Sequence, residues 1–74
     1  MYNGWANYET WNVVLWANNE EPTYRAMLCR RPYSGRTARE FLEEIFPNGT
    51  PDMKGPQDYD EVDWIEVAEA FNEE

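Results

Sequence analysis

Apolar positions recur at helical spacing in four stretches of this chain. In residues 8–18, Tyr8, Trp11, Leu15 and Asn18 share one face, with Val14 beside it. Val13, Trp16 and Ala17 occupy the neighbouring face, so the apolar arc is wide and predicts a helix buried on more than one side. Asn7 stands where an N-cap is needed, and Glu9 falls in the first turn, where the helix dipole favours an acid. Trp11 and Leu15 are expected to anchor the core. Trp5 and Trp16 are open to either core or contact roles.

The break Asn-Asn-Glu-Glu-Pro-Thr leads into a second predicted helix over residues 22–30, with Tyr24, Met27 and Leu28 as its stripe. Arg31 before Pro32 ends it. A third helix is expected from Gly35 or Thr37 to Phe46, with Thr37 and Glu40 at capping-box spacing and Ala38, Phe41, Leu42 and Ile45 inward. Residues 47–58 hold three prolines and two glycines and read as an internal loop. Asp60 is then expected to cap a fourth helix, in which Trp64, Val67, Ala68 and Phe71 follow the i, i+3, i+4, i+7 rule. Residues 1–6 read as an irregular lead-in loosened by Gly4. The pattern therefore predicts a mainly α single domain, residues 1–74, of three or four helices on an aromatic core. The alternative is an α+β form with a short N-terminal strand or hairpin.

Length sharpens this picture. A 74-residue chain buries only about 60% of its unfolded surface. Its twelve aromatics, each removing roughly 150–250 Å² from water when buried, are enough to build a core. One cysteine excludes an internal disulfide. No long apolar run is present, and the start shows neither a basic region nor an apolar stretch of signal-peptide type, so a cytoplasmic protein is expected. Asn48-Gly49-Thr50 fits a glycosylation sequon, but nothing else points to secretion.

Charge changes the picture most. The net charge is −9, which opposes binding to nucleic acid or anionic membrane and attracts a basic partner. It is also unevenly spread. Arg25, Arg30, Arg31, Arg36 and Arg39 lie in an acid-free stretch, whereas twelve acids against Lys54 alone follow from Glu40 onward. The arginines are either internal partners of these acids or a second contact patch.

The function classes separate on this basis. With no histidine, Cys29 lacks a base to activate it, and no carboxylate pair is singled out, so no enzyme is expected. Asp58, Asp60, Glu61 and Asp63 fail the EF-hand template, because Val62 stands at a ligand place and Asp63 at the glycine place. No metal and no cofactor is expected. The arginine stretch, with Tyr24 and Tyr33 interleaved, has nucleic-acid residue types, but whole-chain charge opposes direct binding. That leaves the acids. Asp63, Glu66, Glu69 and Glu73 make a helical stripe, with Asp58, Asp60 and Glu61 leading into it and Glu40, Glu43 and Glu44 forming a second cluster. Such a surface resembles a phosphate backbone to a basic groove.

Two motifs carry a resemblance. Residues 2–16, Tyr-Asn-Gly-Trp-Ala-Asn-Tyr-Glu-Thr-Trp-Asn-Val-Val-Leu-Trp, are similar to the opening of a family of small acidic proteins of phages and mobile elements. Residues 61–74, with Val62-Asp63-Trp64 and Glu66-Val67-Ala68, resemble that family's close. Tyr8, Glu9, Thr10, Trp11, Trp16, Asp63, Trp64 and Ala68 match motif positions. The middle departs from the family, being short, arginine-rich and broken by proline. Short acidic members also resemble type I-C anti-CRISPR proteins. The resemblance implies a stoichiometric, monomeric DNA mimic in the cytoplasm of the bacterial host. Its partner would be a basic DNA-binding surface of a CRISPR effector subunit, the large subunit or the backbone of the surveillance complex. The alternatives are another anti-defence (anti-restriction) mimic, or a mobile-element accessory module that binds a protein partner through exposed aromatics.

Overall fold

Asn7 starts the first helix as expected. Its backbone is extended, and its Oδ1 accepts from the Thr10 amide at 2.9 Å. In the computed structural model, which describes residues 1–73, α1 spans Tyr8–Asn19, α2 Glu21–Cys29, α3 Gly35–Ile45 and α4 Trp64–Asn72. A 3₁₀ helix, Pro56–Glu61, precedes α4. The protein is mainly α: helices α3 and α4 pack together, and α1 lies against α2, α4 and the 3₁₀ helix. Among the described residues no strand forms and no helix is long and apolar enough to cross a membrane.

The lead-in is tighter than its glycine suggested. Tyr2 and Trp5 exchange two backbone hydrogen bonds of 2.7 Å across Asn3 and Gly4, whose φ values are 47° and 86°. Two positive φ values in succession are what a type I′ turn demands, and Asn-Gly is its preferred sequence. Gly4 therefore closes a turn instead of loosening the chain. The pairing stops at this single bridge.

The core is built from Val13 and Ala17 of α1, Met27 of α2, Ala38, Phe41 and Leu42 of α3, Tyr59 and Val62, and Val67, Ala68 and Phe71 of α4. Tyr33, Phe41 and Phe71 form a triangle of edge-to-face rings with centroids 5.2–6.1 Å apart. The expected anchors Trp11 and Leu15 are only half-buried, as are all four tryptophans. Helix α1 instead turns Thr10, Val13, Val14 and Ala17 inward. Its wide apolar arc left the register undetermined, and buried hydrogen bonds of two polar residues select it.

Those two are Thr10 and Asn12, both fully buried. Thr10 Oγ1 donates to Asn7 Oδ1 at 2.6 Å and accepts from the Asp63 amide at 2.9 Å. Asn7 Nδ2 donates to the Glu61 carbonyl at 2.7 Å. Asn12 Oδ1 accepts from the Thr50 hydroxyl, while Asn12 Nδ2 and Trp16 Nε1 both donate to Asp52 at 2.9 Å. These donations hold the Asp52 carboxyl below the usual range, Asn12 acting most strongly and Trp16 next. The 47–58 stretch is thus sewn onto α1, and its last three residues, from Pro56, already belong to the 3₁₀ helix. Thr50 of the sequon is 2% exposed, its hydroxyl committed to Asn12. Gly49 (φ 91°) has no alternative, since a Cβ there would meet the Gly55 carbonyl at 2.9 Å.

Two caps differ from expectation. Ser34, not Thr37, caps α3, in a box where Thr37 Oγ1 accepts from the Ser34 amide at 2.8 Å. Glu40 is drawn instead to Arg36, one turn before it. Asp63, not Asp60, caps α4, accepting from the Glu66 amide at 3.1 Å. The extended, buried Val62 separates the 3₁₀ helix from α4, so no helix can run through from Asp60. Glu20 stands at the N-cap position of α2 without a side-chain capping bond, and the helix begins at Glu21, which puts Pro22 at its second position.

Replacing Thr10 by Val keeps its shape but leaves the part-buried Asp63 amide without its acceptor, a loss of about 1–3 kcal/mol. Urea unfolding should register it, with Thr10→Ser recovering most of the stability; a Thr10→Val midpoint equal to wild type would remove Thr10 from this role. Tyr59 donates to the Phe46 carbonyl at 2.7 Å, and burial, followed by the Glu43 charge, pushes its phenol up to about 12. The folded state thus prefers the neutral phenol. Its contribution is complete below the ordinary tyrosine pKa of about 10 and is lost as pH rises toward about 12. Unfolding curves of wild type and Tyr59→Phe should converge over that window; parallel curves would contradict it.

Candidate acidic interface

The ten acids expected to form a contact surface divide into two groups. Helix α3 carries Glu40, Glu43 and Glu44 on its outer side, and each meets an arginine. Glu40 pairs with Arg36 at 3.3 Å, Glu43 with Arg39 at 3.1 Å, and Glu44 with Arg30 of the preceding helix end at 2.5 Å. Arg39 also reaches Asp60 at 2.8 Å. Hydrogen bonding to Asp60 and then Glu43 raises its pKa further, and bonding to Glu44 does the same for Arg30. Arg30 lies over the Phe41 ring at 5.4 Å. All these pairs are exposed, so each contributes at most about 1 kcal/mol. Their larger effect is on the field: they cancel the charge of this side.

The arginine stretch is therefore not a free basic patch. Arg25 pairs with Glu21 at 3.4 Å. Arg31 donates to the Phe71 carbonyl at 2.7 Å and to the Glu73 carbonyl, closing the end of α4. Asn72 adds a two-point clasp, accepting from the Tyr33 amide at 2.7 Å and donating to its carbonyl at 2.9 Å.

The acids around α4 have a different setting. Asp58 accepts from the Lys54 amide at 3.0 Å, Asp63 caps the helix, and Glu66 accepts from the Ala6 amide at 2.9 Å. Among the described residues none of these three carboxylates pairs with a base. Glu61, Glu69 and Glu73 are exposed, and among the described residues their carboxylates have no ion-pair partner. Glu66, Glu69 and Glu73 rise along one side of α4, with Trp5 and Gly4 of the N-terminal turn beside them. Together with Ala70 they line a groove of about 240 Å³. Trp5 was not assigned to this site on sequence grounds. The Asn-Gly turn before it is the signal that would have folded it back.

The aromatics divide as well. Tyr2, Tyr8 and Trp11 pack at 5.0–5.6 Å into a surface trio, with Tyr2 39% and Tyr8 37% exposed. Trp64 donates to the Tyr59 carbonyl at 2.9 Å, and Ala68 lies in the core. No cluster of three or more His, Cys, Asp or Glu among the described residues is arranged to hold a metal ion, and Cys29 is exposed.

Fold and surface define the class: a small helical domain with one neutralised and one open acidic side. Over residues 1–74 the chain belongs to a family of unknown function, DUF7249. No curated protein and no solved structure matches it.

The division predicts opposite stability effects. Glu69 and Glu73 are like charges at i, i+4 at the negative end of α4, an arrangement that costs a few tenths of a kcal/mol. The double variant E69Q/E73Q should therefore be slightly more stable than wild type at low salt, and E40Q/E44Q equal or slightly less stable. Urea midpoints at low and high salt would show this difference shrinking with salt; the reverse order would refute the division.

Proposed function

We propose that this protein is a non-enzymatic inhibitor that acts stoichiometrically as an acidic DNA mimic. It would occupy a basic, DNA-engaging surface of a CRISPR effector, with the type I-C surveillance complex as the favoured target, inside the bacterial host. The observation that carries this reading is the unneutralised strip on and beside α4: among the described residues, Glu61, Asp63, Glu66, Glu69 and Glu73 have no ion-pair partner while the arginines neutralise the α3 acids. A strip of carboxylates on a rigid helix holds its charges in place before binding, which favours fast, salt-sensitive association with a basic groove. The motif resemblance supplies the choice of target. Glu40, Glu43, Glu44 and Asp60 play a smaller part than in the sequence reading, because their arginines would have to be displaced first. Another anti-defence mimic is the same mechanism with a different basic surface.

A second reading has its own observation. The Tyr2, Tyr8 and Trp11 trio exposes two aromatic rings side by side, a suitable patch for an accessory module that binds a protein partner. Trp5 and Trp16, the aromatics first considered for that role, are half-buried.

Gel shifts of target DNA by purified type I-C surveillance complex test both. Wild type should block the shift, and the block should weaken steeply between about 50 and 200 mM salt. The variant E69K/E73K should need at least about tenfold more protein. Equal inhibition by E69K/E73K would defeat the acidic reading. A salt-insensitive block lost in Y2A/Y8A would establish the aromatic one.

A further inference from the structure

The groove between the N-terminal turn and α4 is built for one kind of group. It is lined by the half-buried Trp5 with Gly4 and Ala70, and by three acids, Glu66, Glu69 and Glu73. Its volume, about 240 Å³, lies below the roughly 300–1,000 Å³ of small-molecule sites and suits a single long side chain. Glu66 is held in place by the Ala6 amide at 2.9 Å. Glu69 and Glu73 stand near the end of α4, where Arg31 closes the Phe71 and Glu73 carbonyls but, among the described residues, no base pairs with either carboxylate. The protein places arginines against the acids of α3; here it leaves like charges at i, i+4 on one helix face beside an aromatic residue. A bound cation would relieve that repulsion.

We propose that this groove receives an arginine side chain from a basic segment of a partner protein. The planar guanidinium would stack on Trp5 and bond to the carboxylates of these acids. A lysine would gain the charge without the planar fork and bind less well. This deepens the proposed function and rests on it for the partner's identity: the strip that mimics a phosphate backbone would contain one specific seat for an arginine that ordinarily contacts phosphate.

The test uses the full chain labelled with ¹⁵N and three short peptides alike except at one position: arginine, lysine, or neutral citrulline. The arginine peptide should give saturable shifts centred on the Trp5 indole N–H and the Ala70 amide, with weaker binding by lysine and none by citrulline. Both E69Q/E73Q and Trp5→Leu should weaken it about tenfold, and E40Q/E44Q should leave it unchanged. Because Trp5 also packs on the core, Trp5→Phe serves as the conservative partner and should retain most of the affinity. Equal binding of arginine and lysine, or shifts spread over α3 as much as α4, would overturn the proposal, since either denotes a diffuse field without a seat. The effector assay separates the two ideas. If E69K/E73K abolishes inhibition but the arginine peptide misses the groove, the mimic stands and the seat falls. If the peptide seats but E69K/E73K still inhibits, the seat stands and the mimic falls.

Discussion

The rest of the molecule depends on one small polar junction. Asn7 and Thr10, a turn apart at the start of α1, grip the backbone of residues 61 and 63, just before α4 begins. Thr10 Oγ1 serves both sides, donating to the cap of its own helix and accepting from the amide that precedes the other. These bonds satisfy the Glu61 carbonyl at the end of the 3₁₀ helix and the Asp63 amide at the N-cap of α4, backbone groups that would otherwise lack a protein partner. The junction fixes α1 and α4 relative to each other, and the Glu66 contact to Ala6 extends it to the N-terminal turn. The groove beside Trp5 is a consequence of that alignment. The two motifs of the sequence thus meet in space, and what they share is a joint.

Charge is arranged around this frame. The arginines lie on the outer side of α3 and at the end of α2, and they neutralise α3 and the 3₁₀ helix. Cancelling them there reduces self-repulsion in a chain of net charge −9. It also concentrates the remaining negative field along α4. The same arginines therefore help the fold and polarise its surface.

Much of this was legible along the chain. The Pro/Gly-rich break near residue 47, the stripe of Val67, Ala68 and Phe71, and the cap at Asn7 are local signals, and local signals survive into the structure. The open acids of α4 were legible as a stripe too. What misled was the assumption that aromatic residues face in and short polar residues face out. Trp11 lies at the edge and Thr10 inside, because a threonine with both partners met can be buried and a tryptophan with one wet side need not be. Asp60 was read as a cap from its position before an apolar run. Only the proximity of Arg39, 21 residues earlier, assigns it to an ion pair.

By itself, then, the sequence determined the helical class, the rough placement of the four α-helices, and the excess of acid, since periodicity, caps and composition act within a few residues. The tertiary structure alone decided which face of α1 is buried, that Asp60 is cancelled by Arg39, and where Trp5 meets the carboxylates. These depend on pairings between residues 21 to 60 positions apart. Such pairings are chosen by mutual satisfaction of buried hydrogen bonds and charges, and no single stretch of the chain contains both partners.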